Sequence, residues 1–168
     1  MVEVAISLPV ILLLALGVTD IGRAFYYREA VTNSTRQALR LAVSPAQQAT
    51  ADSICAGYGA ATAVTVSSAI PGGGSIATIV NGAALESSNN GAPVGSVISG
   101  GNMSVTFHCL ASAAVTNKTS NGGGPQDPGS DAVTVTISYS FAVITPLLWP
   151  VTGTSFPITV SSYQRAEY

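Results

Sequence analysis

The chain carries little charge. Only 8% of its residues are Asp, Glu, Lys or Arg, against about 25% in an ordinary globular domain. A single lysine is present, and six basic side chains against eight acidic ones leave a net charge of −2. Such a surface cannot hold a phosphate backbone, so no nucleic-acid partner is expected. One histidine, two cysteines and scattered carboxylates offer too few ligands for a metal cluster, and no cofactor is expected either. The sequence shows no nucleophile–base pair, no paired-carboxylate motif and no phosphate loop, so no enzyme is expected.

Apolar residues are not scarce. They make up 47% of the chain, which argues against intrinsic disorder. With charge so low, polarity falls to 20 Ser and 16 Thr. That balance suits an exported protein that meets water through hydroxyls and amides.

Residues 1–44 read as one long helix. Residues 4–19 hold no charge and are rich in Leu and Ile. They cover roughly 24 Å, slightly short of a span of about 20 residues. Glu3 and Asp20 mark the two boundaries, and Phe25, Tyr26 and Tyr27 fall where an aromatic belt would lie. The run then continues as amphipathic helix rather than ending like a signal peptide. Ile21, Ala24, Phe25, Val31, Ala38, Leu39 and Ala42 recur at helical spacing, with Glu29, Asn33, Arg36 and Arg40 on another face. Pro9 should kink or loosen this helix. Gly17 and Gly22 allow close helix–helix approach. Ser44 before Pro45 ends the helix, and residues 47–55 continue as a short helical turn.

Beyond about residue 62 the period changes to two. Val133, Val135, Ile137, Tyr139 and Phe141 alternate with hydroxyl residues and predict a strand over 132–141. Residues 104–109 alternate likewise, and 62–66, 75–80 and 157–161 are shorter candidate strands. Gly-, Ser-, Asn- and Pro-rich stretches separate them. No internal repeat is present. The expected architecture is α+β: a helix over 1–44, a junction over 45–61 and an extracellular antiparallel β domain, sheet or sandwich, over 62–168. Cys55 and Cys109 form an even pair in such a chain and are expected to be disulfide-bonded, stapling the junction to the sheet.

The N-terminal segment resembles the TadE-like pilins of tight-adherence pilus systems. The likeness is carried by Val2-Glu3-Val4-Ala5, Leu8-Pro9-Val10 and the Leu-rich run. Asp20-Ile21-Gly22-Arg23-Ala24-Phe25 and Val31-Thr32-Asn33 through Arg36, Ala38 and Arg40 continue it. It spans residues 2–43 and, more loosely, 132–162, where Ile137 to Phe141 and Thr145-Pro146-Leu147-Leu148 resemble the family's last strands. Residues 56–131 match no family pattern. In the family the glutamate lies five residues past the processing site, whereas here it is Glu3 and no basic leader precedes it. A mature form trimmed by a residue or two, or different processing, is expected.

The resemblance implies a subunit held in the inner membrane by its helix, processed by a peptidase and then extracted by an assembly machine into a surface filament. Its partners would be copies of itself, other pilus subunits and that machinery. Small residues (Ala5, Ala15, Gly17, Gly22) would pack the helices. Glu3 reads either as the partner of a neighbour's N-terminal amine or as an exposed acid favoured by the helix dipole; the resemblance favours the first. Asp20 and Arg23 are three residues apart and suit an ion pair, in a filament core, to a neighbour, or at a solvated boundary. Asn33, Asn102 and Asn117 head N-x-[ST] sequons, of which Asn102 and Asn117 suit surface loops. His108 has no recognisable catalytic partner, and the segment 127–131 reads as a turn.

The alternative is a membrane-anchored binding or adhesion module that never polymerises. In that case residues 20–43 are an exposed stalk; in a filament they are buried by neighbours. Asp at Val31 or Leu39 is therefore expected to abolish surface filaments if the chain polymerises, and to leave membrane anchoring intact if it is an anchored module.

Overall fold

A computed structural model describes residues 2–56, 63–88, 96–109, 130–145 and 149–165. Its elements are α1 (Val2–Ala42), a 3-10 turn over Pro45–Gln47 and α2 (Gln48–Ala56), followed by β1 (Ala63–Ala69) and α3 (Ala77–Glu86). After these come β2 (Asn102–Cys109), β3 (Ser130–Ala142), the single turn α4 (Trp149–Thr152) and β4 (Ser155–Arg165). The four strands form one antiparallel sheet in the order β1-β2-β3-β4. The fold is α+β, a long N-terminal apolar helix followed by a small sheet.

Alternation gives the sheet two unlike faces. Val64, Val105, Phe107, Val133, Val135, Ile137 and Ile158 point inward and are buried. The outer face is a ladder of hydroxyls. Thr65 meets Thr106 at 2.8 Å, Ser67 meets Ser104 at 2.9 Å and Thr136 meets Ser161 at 2.6 Å across adjacent strands. Such cross-strand pairs stabilise register and let the sheet face water without charge. His108 belongs to this face, with Nε2 3.1 Å from Thr134 Oγ1.

The helices cover the inner face. Val31, Ala38, Leu39 and Ala42 of α1 share one core with the sheet, with Ala51 and Cys55 of α2 and with Ile79, Val80, Ala83 and Ala84 of α3. This corrects the strand expected over 75–80, which is mostly helix. Ile76, Ile79, Val80, Ala83 and Ala84 recur at i, i+3, i+4, i+7 and i+8, a helical stripe hidden by β-branched residues that favour strands. Gly82 lets α3 approach α1, because a Cβ there would collide with the Leu41 side chain. The Asn81 amide ties the preceding loop, accepting from Gly72 N at 3.1 Å and donating to Gly72 O at 3.0 Å.

Cys55 and Cys109 form a disulfide with their Cα atoms 5.5 Å apart. It joins the end of α2 to the end of β2, where the β2–β3 register shifts by a bulge. The sequon at Asn102 opens β2 and its side chain is exposed. Asn117 and residues 127–129 lie outside the described residues.

Candidate assembly surface

One helix, α1, meets two environments. It runs unbroken for 41 residues, through Pro9, a length of about 60 Å. Between residues 4 and 18 every large apolar side chain is exposed, Leu14 by 66% and Val18 by 69%. Among the described residues no other element covers them, and the helix is long and apolar enough to cross a membrane. Burying each such side chain is worth about 1.5–3 kcal/mol. Ten of them form a strong drive toward lipid or toward other helices.

Gly17 and Gly22 belong to this open region. A Cβ at either position would meet nothing within 4 Å. Each glycine costs the helix about 1 kcal/mol relative to alanine, and no contact within the chain requires it. Glu3 is also exposed, with Ser7 Oγ donating to its backbone oxygen at 2.7 Å.

At Asp20 the environment changes. Asp20 is buried, and its carboxylate reaches across to the segment after β3. Thr145 N donates to Oδ2 at 2.7 Å, and Ile144 N lies 3.4 Å from Oδ1. Arg23 Nη1 donates to Oδ1 at 3.2 Å, and its guanidinium lies 5.2 Å over the Phe141 ring. The expected Asp20–Arg23 pair is thus formed. Within the chain the carboxylate is buried rather than solvated, and two backbone donors reach it. A carboxylate satisfied in this way is stable where an unpaired one is costly.

Above Asp20 the helix is part of the domain. Its inward stripe runs through Asp20, Ala24, Tyr27, Val31, Ser34, Ala38 and Ala42. Ile21 and Phe25 are more than half exposed. The aromatic trio divides accordingly. Tyr27 stacks on Tyr139 at 5.2 Å and meets Phe141 edge-on at 5.4 Å, while Phe25 and Tyr26 face outward. Burial, then the neighbouring Tyr27, raises the Tyr139 phenol above its ordinary value. Glu29, Asn33, Arg36 and Arg40 are exposed as expected.

The choice posed between an exposed stalk and a segment buried by neighbours does not survive this geometry. Val31 and Leu39 are buried by the chain's own sheet and by α3. An Asp at either position damages the domain before it reports on assembly.

Residues 1–40 match the TadE-like protein family. The matched family is pilus-related, and the match covers the exposed lower helix, both glycines and Asp20. The apolar TadE-like helix and this family together indicate a membrane-anchored or pilus location. No curated protein and no solved structure matches the chain. The partners that bury Asp20 therefore come from outside the TadE-like segment, at Ile144 and Thr145. Sequence spacing gave no sign of them, since 125 residues separate Asp20 from Thr145. A cleft between α1 and the end of α3 is lined by Tyr26, Glu29, Ala30, Asn33, Glu86, Ser87 and Ser88. Among the described residues no three metal-ligating side chains come together.

Proposed function

We propose that this protein is a structural subunit of a tight-adherence pilus, polymerising through its N-terminal helix with the β domain outward. The observation that carries the reading is the lower half of α1. Its apolar side chains are exposed on every side, and its two glycines stand in open space. In the inner membrane, lipid covers that surface. In a filament, the helices of other copies and of other pilus subunits replace lipid, and the glycines admit close approach. Glu3 sits at the start of the helix, where a neighbour's N-terminal amine would neutralise it. The work of the molecule is packing rather than chemistry, and no enzymatic activity is assigned to it. Low charge lets many domains crowd on the filament surface without repulsion.

The test is electron microscopy of material sheared from the cell surface, with mass spectrometry of the same fraction. Filaments containing this chain are expected, and replacing Gly17 and Gly22 together by Leu should abolish them while the domain stays folded. If the chain stays in the membrane pellet and no filament contains it, the polymer reading fails. A membrane-anchored adhesion module then becomes the better account.

A further inference from the structure

We propose that the β domains of neighbouring copies join edge to edge, the outer edge of β4 in one copy pairing with the outer edge of β1 in the next. The inference needs copies held in one orientation and rests on the polymer reading for that. It adds a second contact, of different chemistry, to the packing of the helices. Three observations lead to it.

The first is that both edges are unguarded. The order β1-β2-β3-β4 leaves β1 and β4 without a further strand among the described residues. A sheet edge carries unpaired N–H and C=O groups, which proteins commonly blunt with charge, proline or a bulge. Residues 63–69 and 158–164 hold no charged residue, no proline and no glycine. Neither edge is bulged, since the β1–β2 and β3–β4 registers run without a shift.

The second is the direction of the backbone groups. Ile70 N donates to Gly101 O at 2.9 Å, in register with the β1–β2 ladder. Alternate residues of an antiparallel strand bond to the same neighbour. Val64, Val66 and Ser68 therefore bond to β2, and the backbone groups of Ala63, Thr65, Ser67 and Ala69 point off the sheet. Val143 N donates to Thr154 O at 3.1 Å, in register with the β3–β4 ladder. By the same alternation the groups of Pro157, Thr159, Ser161 and Tyr163 point off the opposite edge. Pro157, with no N–H to give, stands where the sheet loses no bond.

The third is complementarity. The outward-bonding residues of both edges lie on the exposed outer face, whereas Val64, Val66, Ile158 and Val160 pack on the core side. In this all-antiparallel sheet β1 and β4 run in opposite directions, so two copies in one orientation bring them together antiparallel. The register that sets Val66 opposite Val160 sets Thr65 opposite Ser161 and Ser67 opposite Thr159. Free backbone groups then meet free backbone groups, and apolar side chains stay on the inner face. Hydroxyls stand beside hydroxyls, as Thr136 and Ser161 do within the sheet. The contact joins two different edges, so it is heterologous and repeats from copy to copy.

The test is thiol cross-linking of the full chain in cells that make it, with Thr65→Cys and Ser161→Cys combined. Within one chain three strand spacings, about 14 Å or more, separate these positions, beyond the reach of a disulfide. In joined copies they stand opposite each other, about 5.5 Å apart. Maleimide labelling first verifies that both introduced thiols are free. Mild oxidation should then give a ladder of dimers, trimers and longer oligomers in the sheared filaments, with mass spectrometry assigning the link to the two introduced thiols. Neither single variant should cross-link. Adding Thr159→Pro, which removes an outward N–H and no bond to β3, should abolish the ladder without lowering the urea midpoint. Filaments that contain the chain but give no ladder overturn the edge pairing and leave the polymer reading standing. A ladder confined to the membrane fraction keeps the edge pairing and overturns the polymer reading. Absence of both filaments and ladder overturns both. Dimers from either single variant also overturn the proposal, since like edges then meet about a two-fold axis.

Discussion

The two halves of α1 are one helix with one backbone geometry, yet they are governed by different solvents. Below Asp20 the side chains are apolar all round and exposed. Above it one stripe is buried by the sheet and α3, and the opposite face carries Glu29, Asn33, Arg36 and Arg40. The upper half has the amphipathic pattern of a globular helix, and the lower half has the uniform pattern of a buried or membrane helix. A long helix therefore does not imply one continuous interface. Among the described residues the chain covers one face of the upper half and leaves the lower half exposed.

That division can be tested by placing the same change in each half. Val31→Asp puts an uncompensated charge where Val31 is fully buried. It should cost about 3–5 kcal/mol, read as a collapse of the domain's urea midpoint in detergent. Leu14→Asp should leave that midpoint unchanged and instead weaken vesicle flotation. Equal effects at the two sites would abolish the distinction.

Breaking the Cys55–Cys109 bond sharpens the same contrast. Replacing both cysteines by Ser should cost about 4 kcal/mol in the chain-entropy view, again by urea unfolding. Because the bond joins α2 to β2, membrane insertion should be unaltered. Insertion that depends on the disulfide would mean the two halves do not act independently.

Asp20→Asn probes the boundary itself. The amide presents N–H groups to Thr145 N or Ile144 N where a carboxylate oxygen now accepts, and it leaves Arg23 without its acid. A loss of about 1–3 kcal/mol is expected, with faster hydrogen exchange at the Thr145 amide. Unchanged exchange there would show that Asp20 does not tie the segment after β3 to the helix.

Much of this architecture was legible because it repeats with a simple period. The strand through Val133, Val135 and Ile137 alternates cleanly, and the apolar run before Asp20 needs only counting. α3 was misread because five residues such as Ile76 to Val80 are too few to separate a helical stripe from an apolar strand. Hydrophobicity alone does not fix which face of upper α1 the domain buries. Here Asp20, a charged residue, lies on the buried stripe. Its acceptability depends on two backbone N–H groups 124 and 125 residues away, which no local pattern announces.

By itself the sequence determined the helix, its uncharged lower half, the alternating strands and a cysteine pair available for bonding. These follow from side-chain period and composition, which are local properties. The tertiary structure alone decided where the domain begins on the helix, which glycines stand open and how Asp20 is neutralised. Those depend on contacts between distant segments, and only the folded chain brings such segments within hydrogen-bonding and van der Waals range.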